Sequence, residues 1–346
     1  MVSASLSQAR SNRSVPMTRM LFLATSLATI ATAAAAADSK TVTIDGSSTV
    51  FPISEAIAED FQKSTKGAVR VTVGISGTGG GFKKFCRGET DVSNASRPIS
   101  KEEIEVCKAA GISFYELPVA FDALTVVVNP KNTTLQCITI ADLKKMWEPG
   151  AQGKVATWKA VNDKWPDQPL KLFGPGADSG TFDYFTEAIN GKAKASRGDY
   201  TASEDDNVLV TGVQGDPNGL GYFGFAYYAA DPSKLKALAV DWGKGEGCVK
   251  PSLETVVGGT YNPLSRPLFI YVSKKAAEKA EVKEYVTYTF ANAARLTSEV
   301  KYVPLPADAY KMAQARFDKG ETGSIFGGVP EVGLKIEDIL KRKPLM

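Results

Sequence analysis

Apolar residues in this chain recur at every second position, then at every third or fourth, and the switch repeats. Thr41–Asp45 reads as a short strand, and Ile53, Ile57 and Phe61 then line one face of a helix running to about Lys63. Between them lies Gly46-Ser47-Ser48-Thr49-Val50, with Pro52 where a first helical residue is favoured. Val69–Ile75 is a second strand and Gly77-Thr78-Gly79-Gly80-Gly81 a loop. Phe82 and Phe85 open the apolar face of a second helix. The third unit is Leu170–Phe173, then Gly174 to Thr181, then a helix marked by Phe182, Phe185 and Ile189. Strands alternating with helices predict an α/β protein.

Each unit carries a loop of Gly, Ser and Thr from the end of a strand into a helix. The first N–H groups of a helix have no internal partner, and the macrodipole adds positive charge there. Glycine admits a ligand close to the backbone, and hydroxyls add donors. One such loop is commonly an ordinary N-cap. Three at the carboxyl ends of strands, where α/β folds bind ligands, predict an anion site. No lysine completes a Walker pattern, and no acidic ribose-binding residue follows, so a bare anion fits better than a nucleotide.

Charged residues extend the site. Arg97 precedes Pro98, which biases it toward extended backbone, and its guanidinium offers a planar fork to an oxyanion. Asp178 adjoins Ser179. A carboxylate beside an anion is useful if the ligand carries a proton, as hydrogen phosphate does and sulfate does not; the alternative is a helix cap or a partner for Arg97. Glu204-Asp205-Asp206-Asn207 reads as a solvated helix start from which Asp206 or Asn207 reaches the cleft. The run Tyr222, Phe223, Phe225, Tyr227, Tyr228 among glycines reads as buried strand, and Asn132-Thr133-Thr134 as a turn.

The N-terminus has a different character. Arg10, Arg13 and Arg19 precede an apolar stretch from Met20 to about Ile30 and the tract Ala33 to Ala37. This reads as a signal peptide over residues 1–37, cleaved near Ala37–Asp38, for a periplasmic protein. Taking its three arginines from 41 basic residues leaves 38 against 38 acidic ones. A balanced chain has no global field for nucleic acid, so an anion must be held by local geometry. There is no histidine, which excludes a Ser-His-Asp triad and an imidazole base. An esterase using Ser179 as nucleophile would lack its base, and no metal or cofactor set is evident.

Four motifs, GSSTVFP at 46–52, GTGGGFKK at 77–84, NASRPIS at 94–100 and DSGTFDYF at 178–185, resemble those of PstS/SphX-type phosphate-binding proteins, in the same order. The resemblance covers nearly all of 38–330. It implies a two-lobed type II periplasmic binding-protein fold with a double-crossover hinge and the ligand in the interlobe cleft. It further implies capture of inorganic phosphate outside the cytoplasmic membrane by a monomer, and delivery to the permease of an ABC transporter. Ser48, Thr49, Val50, Thr78, Gly79, Arg97, Ser179, Gly180 and Thr181 would then bind the anion, with Ser47 as the alternative to Val50 in the first loop; Asp178, then Asp206, are the acceptor candidates from the residues themselves. In the best-known branch an aspartate stands at the place of Ser96, and an arginine at that of Pro175. Here the cation would move to Arg97, and the proton acceptor would come from elsewhere. A phosphate sensor or surface protein on the same fold, and a receptor for sulfate or molybdate, are the alternatives.

Apolar strands at Ala123–Val128 and Arg266–Val272 place the crossovers. Lobe one is then 38–122 plus 266–346, and lobe two 123–265. The four cysteines of an exported chain suggest two disulfides, with three pairings open. Cys86–Cys107 with Cys137–Cys248 is favoured, because each pair stays within one lobe.

Overall fold

The computed structural model describes residues 40–329 and 342–343, so the expected signal peptide lies outside the described residues. The chain runs β1 (Lys40–Gly46), α1 (Phe51–Ser64), β2 (Val69–Ile75), α2 (Gly77–Cys86), β3 (Val92–Ala95), α3 (Lys101–Ala109) and a long β4 (Phe114–Val128). It continues through β5 (Cys137–Thr139), α4 (Ile140–Trp147), α5 (Trp158–Val161), β6 (Lys171–Pro175), α6 (Gly180–Asn190), β7 (Thr201–Ser203), α7 (Asp206–Gly215), β8 (Gly219–Gly224) and α8 (Phe225–Ala230). Small strands β9 (Lys236–Ala237), β10 (Ala239–Asp241) and β11 (Cys248–Val249) and α9 (Leu253–Val257) follow. The chain then returns through β12 (Ser265–Ser273), α10 (Ala280–Glu299), β13 (Val303–Pro304) and α11 (Ala307–Asp318).

A mixed sheet of order β2-β1-β3-β12-β4-β8-β6-β7 organises these elements. Pairing is parallel toward both ends, β1 with β2 and β3 and β6 with β7 and β8. At the centre β4 is antiparallel to both β12 and β8. β4 is the joint: Phe114 to Ala123 pairs with β12, and from Leu124 onward the strand pairs with β8. Every residue of β4 and β12 is buried, so both read as continuous apolar runs without alternation. The few charges they carry must therefore be paired. The described residues from Lys40 to Val329 hold together as one unit by contact.

The apolar periodicities expected of α1 and α6 place Ile53, Ile57, Phe61, Phe182, Phe185 and Ile189 in the core. Two segments depart from expectation. Gly77 to Gly81 is the first turn and a half of α2, not a loop. Gly77 has φ +73°, and a Cβ there would lie 2.7 Å from the Asp178 carbonyl oxygen; the glycines are small because the helix start is crowded by a neighbouring loop. The aromatic run is strand only as far as Gly224, and Phe225, Tyr227 and Tyr228 belong to α8.

Disulfides join Cys86 to Cys107 and Cys137 to Cys248. The first ties the end of α2 to α3 and closes a segment, with a sequence separation of 21, that contains Arg97. Closing a loop of that order stabilises by about 3 kcal/mol in the chain-entropy model. The paired change Cys86→Ser with Cys107→Ser is expected to lower unfolding free energy by about that amount in a denaturant titration. A loss below about 1 kcal/mol would show that α2 and α3 are held by packing alone.

Candidate functional site

The carboxyl ends of β1, β3 and β6 and the start of α2 converge on the sheet joint. After β1, the turn Ser47-Ser48-Thr49-Val50 is buried and opens α1. The Ser47 N–H is spent on the Asn94 carbonyl, 3.0 Å away. Among the described residues the N–H groups of Ser48, Thr49, Val50 and Gly180 meet no protein acceptor. The carbonyls of Ser48 and Thr49 accept from the hydroxyls of Tyr227 and Tyr302, which fixes the turn's backbone from behind.

Other loops close on this turn. The Thr49 and Thr181 hydroxyls lie 3.0 Å apart, and those of Thr78 and Ser96 3.1 Å apart. Gly180 is packed so tightly that a Cβ would stand 2.5 Å from the Thr78 hydroxyl and 2.7 Å from that of Ser96. Only glycine lets the start of α6 approach so closely. Ser179 caps α6 by accepting from the Thr181 N–H at 3.1 Å. The Gly79 N–H donates to the Asp178 carbonyl at 2.6 Å.

At the centre of these groups is a residue that the motif reading missed. Arg266, on β12, is fully buried. Its Nη2 donates to the hydroxyls of Thr181 at 2.8 Å and Thr49 at 3.3 Å, and its Nη1 to the Gly180 carbonyl at 3.2 Å. Asp122 anchors it, accepting from Nη2 at 3.0 Å and Nε at 3.3 Å. The two are direct register partners on adjacent antiparallel strands, where opposite charges stabilise each other. The signal in the sequence is a charge within each of two largely apolar strands, Asp122 in β4 and Arg266 in β12.

The structure places several expected ligands elsewhere. Arg97 is buried but engaged. Its Nη1 and Nη2 form a bidentate pair with Glu103 at 2.7 and 2.8 Å, Nε binds Asp183 at 2.6 Å, and Nη1 also donates to the Pro98 carbonyl. These partners hold the guanidinium well above its ordinary range against the cost of burial. Asp178 sits half-exposed at the rim, paired with Lys83 at 2.7 Å, and Asn207 is exposed and hydrogen-bonded to Asp205. The Arg97 and Asp178 side chains thus engage protein partners, Glu103 and Asp183 for the one and Lys83 for the other.

Asp206, by contrast, is fully buried at the first turn of α7. Neither of its carboxylate oxygens has a hydrogen bond of good geometry. Burial pushes its pKa up to about 7; Arg266 opposes that rise, Asp122 and Asp205 add to it, and the nearby Ser48 hydroxyl lowers it slightly. Among the described residues no group of three or more Cys, Asp or Glu is arranged to hold a metal, and no helix is long and apolar enough to cross a membrane.

Helix starts that converge on a joint strand pair suit a protein that holds a small solute between two halves. The chain matches, over residues 31–293, the PBP superfamily domain, the class of solute-binding receptors. Its fold is that of the type II periplasmic binding proteins, shared with a solved chain from Clostridium perfringens at 24% identity and a TM-score of 0.65. Protein SphX of Synechococcus elongatus is 56% identical over 307 residues, 89% of this chain and 90% of that one. Phosphate-binding protein PstS of Staphylococcus saprophyticus is 39% identical over 277 residues, 79% and 83% of the two chains. A solved structure of a possible phosphate binding protein from Planctomyces limnophilus is 50% identical with a TM-score of 0.60, covering 81% of this chain and 98% of that one. The chain belongs to the PstS/SphX family of phosphate-binding proteins.

Proposed function

We propose that this chain captures inorganic phosphate outside the cytoplasmic membrane and delivers it to the permease of an ABC transporter, acting as a receptor and not an enzyme. The observation that carries this reading is the convergence of three helix starts on one buried arginine. By dipole bookkeeping the starts of α1, α2 and α6 supply roughly half a charge each, and Arg266 adds one, for about +2.5. Asp122 offsets one unit and fixes the arginine in place. The ligand set is then the N–H groups of Ser48, Thr49, Val50 and Gly180, the hydroxyls of Thr49, Thr78, Ser96, Ser179 and Thr181, and Arg266 as cation. Asp206 is the proton acceptor.

The lobes are 38–122 with 266–346, and 123–265, hinged where β4 changes partner and β12 returns. Export is supported by the basic and apolar leader before Asp38 and by two disulfides. The Ser179 hydroxyl oxygen is taken up in capping its own helix.

A ligand that binds only the native state raises the melting temperature by mass action. Phosphate-stripped protein is expected to bind one phosphate per chain by calorimetry and to melt higher in millimolar phosphate, with sulfate inert at pH 8. An unmoved melting curve would end this reading.

A further inference from the structure

The Arg97 and Asp178 side chains are taken up by contacts across the cleft. Arg97 is held on its own side by Glu103, whose carboxylate also completes the capping box of α3 by accepting from the Ser100 N–H at 2.8 Å. With three of its hydrogens committed there and to Pro98, its Nε reaches across to Asp183 on α6. Both side chains are buried, at 8% and 5% exposure, and both line a cleft of about 540 Å³ between α2, α3 and α6. α6 is the helix whose first turn supplies Gly180 and Thr181. Beside this pair, Asp178 is bound twice to α2, through its carbonyl by the Gly79 N–H and through its carboxylate by Lys83.

We propose that the Arg97–Asp183 pair is a clasp that holds the two lobes closed over the ligand, so that Arg97 is a positioning residue for phosphate retention rather than a phosphate contact. The inference rests on the receptor reading above. Geometry favours it because Arg97 is preset by Glu103. Little side-chain freedom is then lost when Asp183 arrives, and a preorganised fork gives more per hydrogen bond than a free one. A partly buried, bidentate-anchored pair is also screened less than the exposed Lys83–Asp178 pair at the rim. When only the closed state binds tightly, apparent affinity falls with the closed fraction.

The test uses Asp183→Asn, which leaves the Arg97–Glu103 pair intact, and Arg97→Gln as a second variant. Spin labels at Lys66→Cys and Lys159→Cys, one on each lobe, report the interlobe distance. In stripped protein both variants are expected to shift the distance distribution toward the open form. With phosphate, stopped-flow dissociation is expected to quicken about tenfold or more while association changes less than about threefold. The preference for phosphate over sulfate should stay unchanged, since no ligand contact is lost. Lys83→Met, at the exposed rim, should change dissociation by less than about threefold. Distances and dissociation rates equal to wild type would overturn the clasp, and so would a change in anion preference, which would make Arg97 a ligand. The label distances of stripped protein need no ligand, so failure of the clasp and failure of the phosphate reading are told apart.

Discussion

Arg266→Gln is expected to weaken phosphate binding by about a thousandfold or more, the largest loss of any single change at the site. A charged donor contributes about 1.5–3 kcal/mol per hydrogen bond, and the anion would lose its one buried arginine along with the order that Nη2 imposes on Thr49 and Thr181. The fold would suffer too. Asp122 would be left buried and unpaired, and breaking a buried pair from one side costs about 3–5 kcal/mol. The two effects separate in the double variant Asp122→Asn with Arg266→Gln, where neither side chain is charged. That protein should recover most of the melting temperature but none of the binding. Lysine at 266 should not restore affinity, because a point charge cannot reach Asp122, Gly180 and both threonines at once. Calorimetric titrations of these variants decide the matter. Affinity within tenfold of wild type in a folded Arg266→Gln protein would show that the cation lies elsewhere.

Why Arg97 reads as the cation from sequence, and Arg266 does not, has a physical reason. Local signals report on segments: a Gly-Thr-Gly start, a Ser-Gly-Thr cap, an apolar period. These give the helices α1, α2 and α6 and the residues Ser48, Thr49, Thr78, Ser179, Gly180 and Thr181 that the fold brings together. Arg97 lies among such motifs in NASRPIS and inherits their meaning. Glu103, six residues on, takes two of its donors, but its other carboxylate partner, Asp183, lies 86 residues away on α6, and only the fold brings that one to it. Arg266 is 144 residues from Asp122, and their pairing exists only through the register of β4 and β12. The apolar runs that marked those strands as crossovers were legible. Asp122 just before the first run and Arg266 at the start of the second are the longer-range clue. Gly77 to Gly81 shows the converse: a glycine run reads as loop, yet here it is helix, with Gly77 packed against Asp178 and Gly81 against Gly46 so closely that neither has room for a side chain.

The acceptor yields the second large effect. Asp206→Asn is expected to remove most of the discrimination between phosphate and sulfate at pH 8 while sparing much of the phosphate affinity. With a pKa pushed up to about 7, the carboxylate is mainly ionised at pH 8. It can then accept from the hydroxyl of hydrogen phosphate, whereas sulfate would set bare oxygen against bare oxygen. Unpaired buried acceptors and close like charges cost several kcal/mol, enough for selectivity of about a thousandfold. Below pH 7 Asp206 carries its own proton and can donate, so wild type should begin to accept sulfate, gaining about tenfold in affinity per pH unit downward. Asparagine donates at every pH, and its sulfate affinity should be flat. Stability moves with the same group. The folded pKa lies above the unfolded value of about 3.9, so the native state keeps a proton that the unfolded chain gives up between about pH 4 and 7. Stability from this residue is therefore highest below pH 4, falls through that window and is flat above it, by about 4 kcal/mol at most. Stripped Asp206→Asn protein should accordingly gain on wild type in melting temperature as pH rises from 4 to 8. Paired phosphate and sulfate titrations at pH 5.5 and 8, with melting curves of the stripped proteins, read all three effects. A variant that excludes sulfate as wild type does, with the same pH slope of stability, would place the acceptor at another residue.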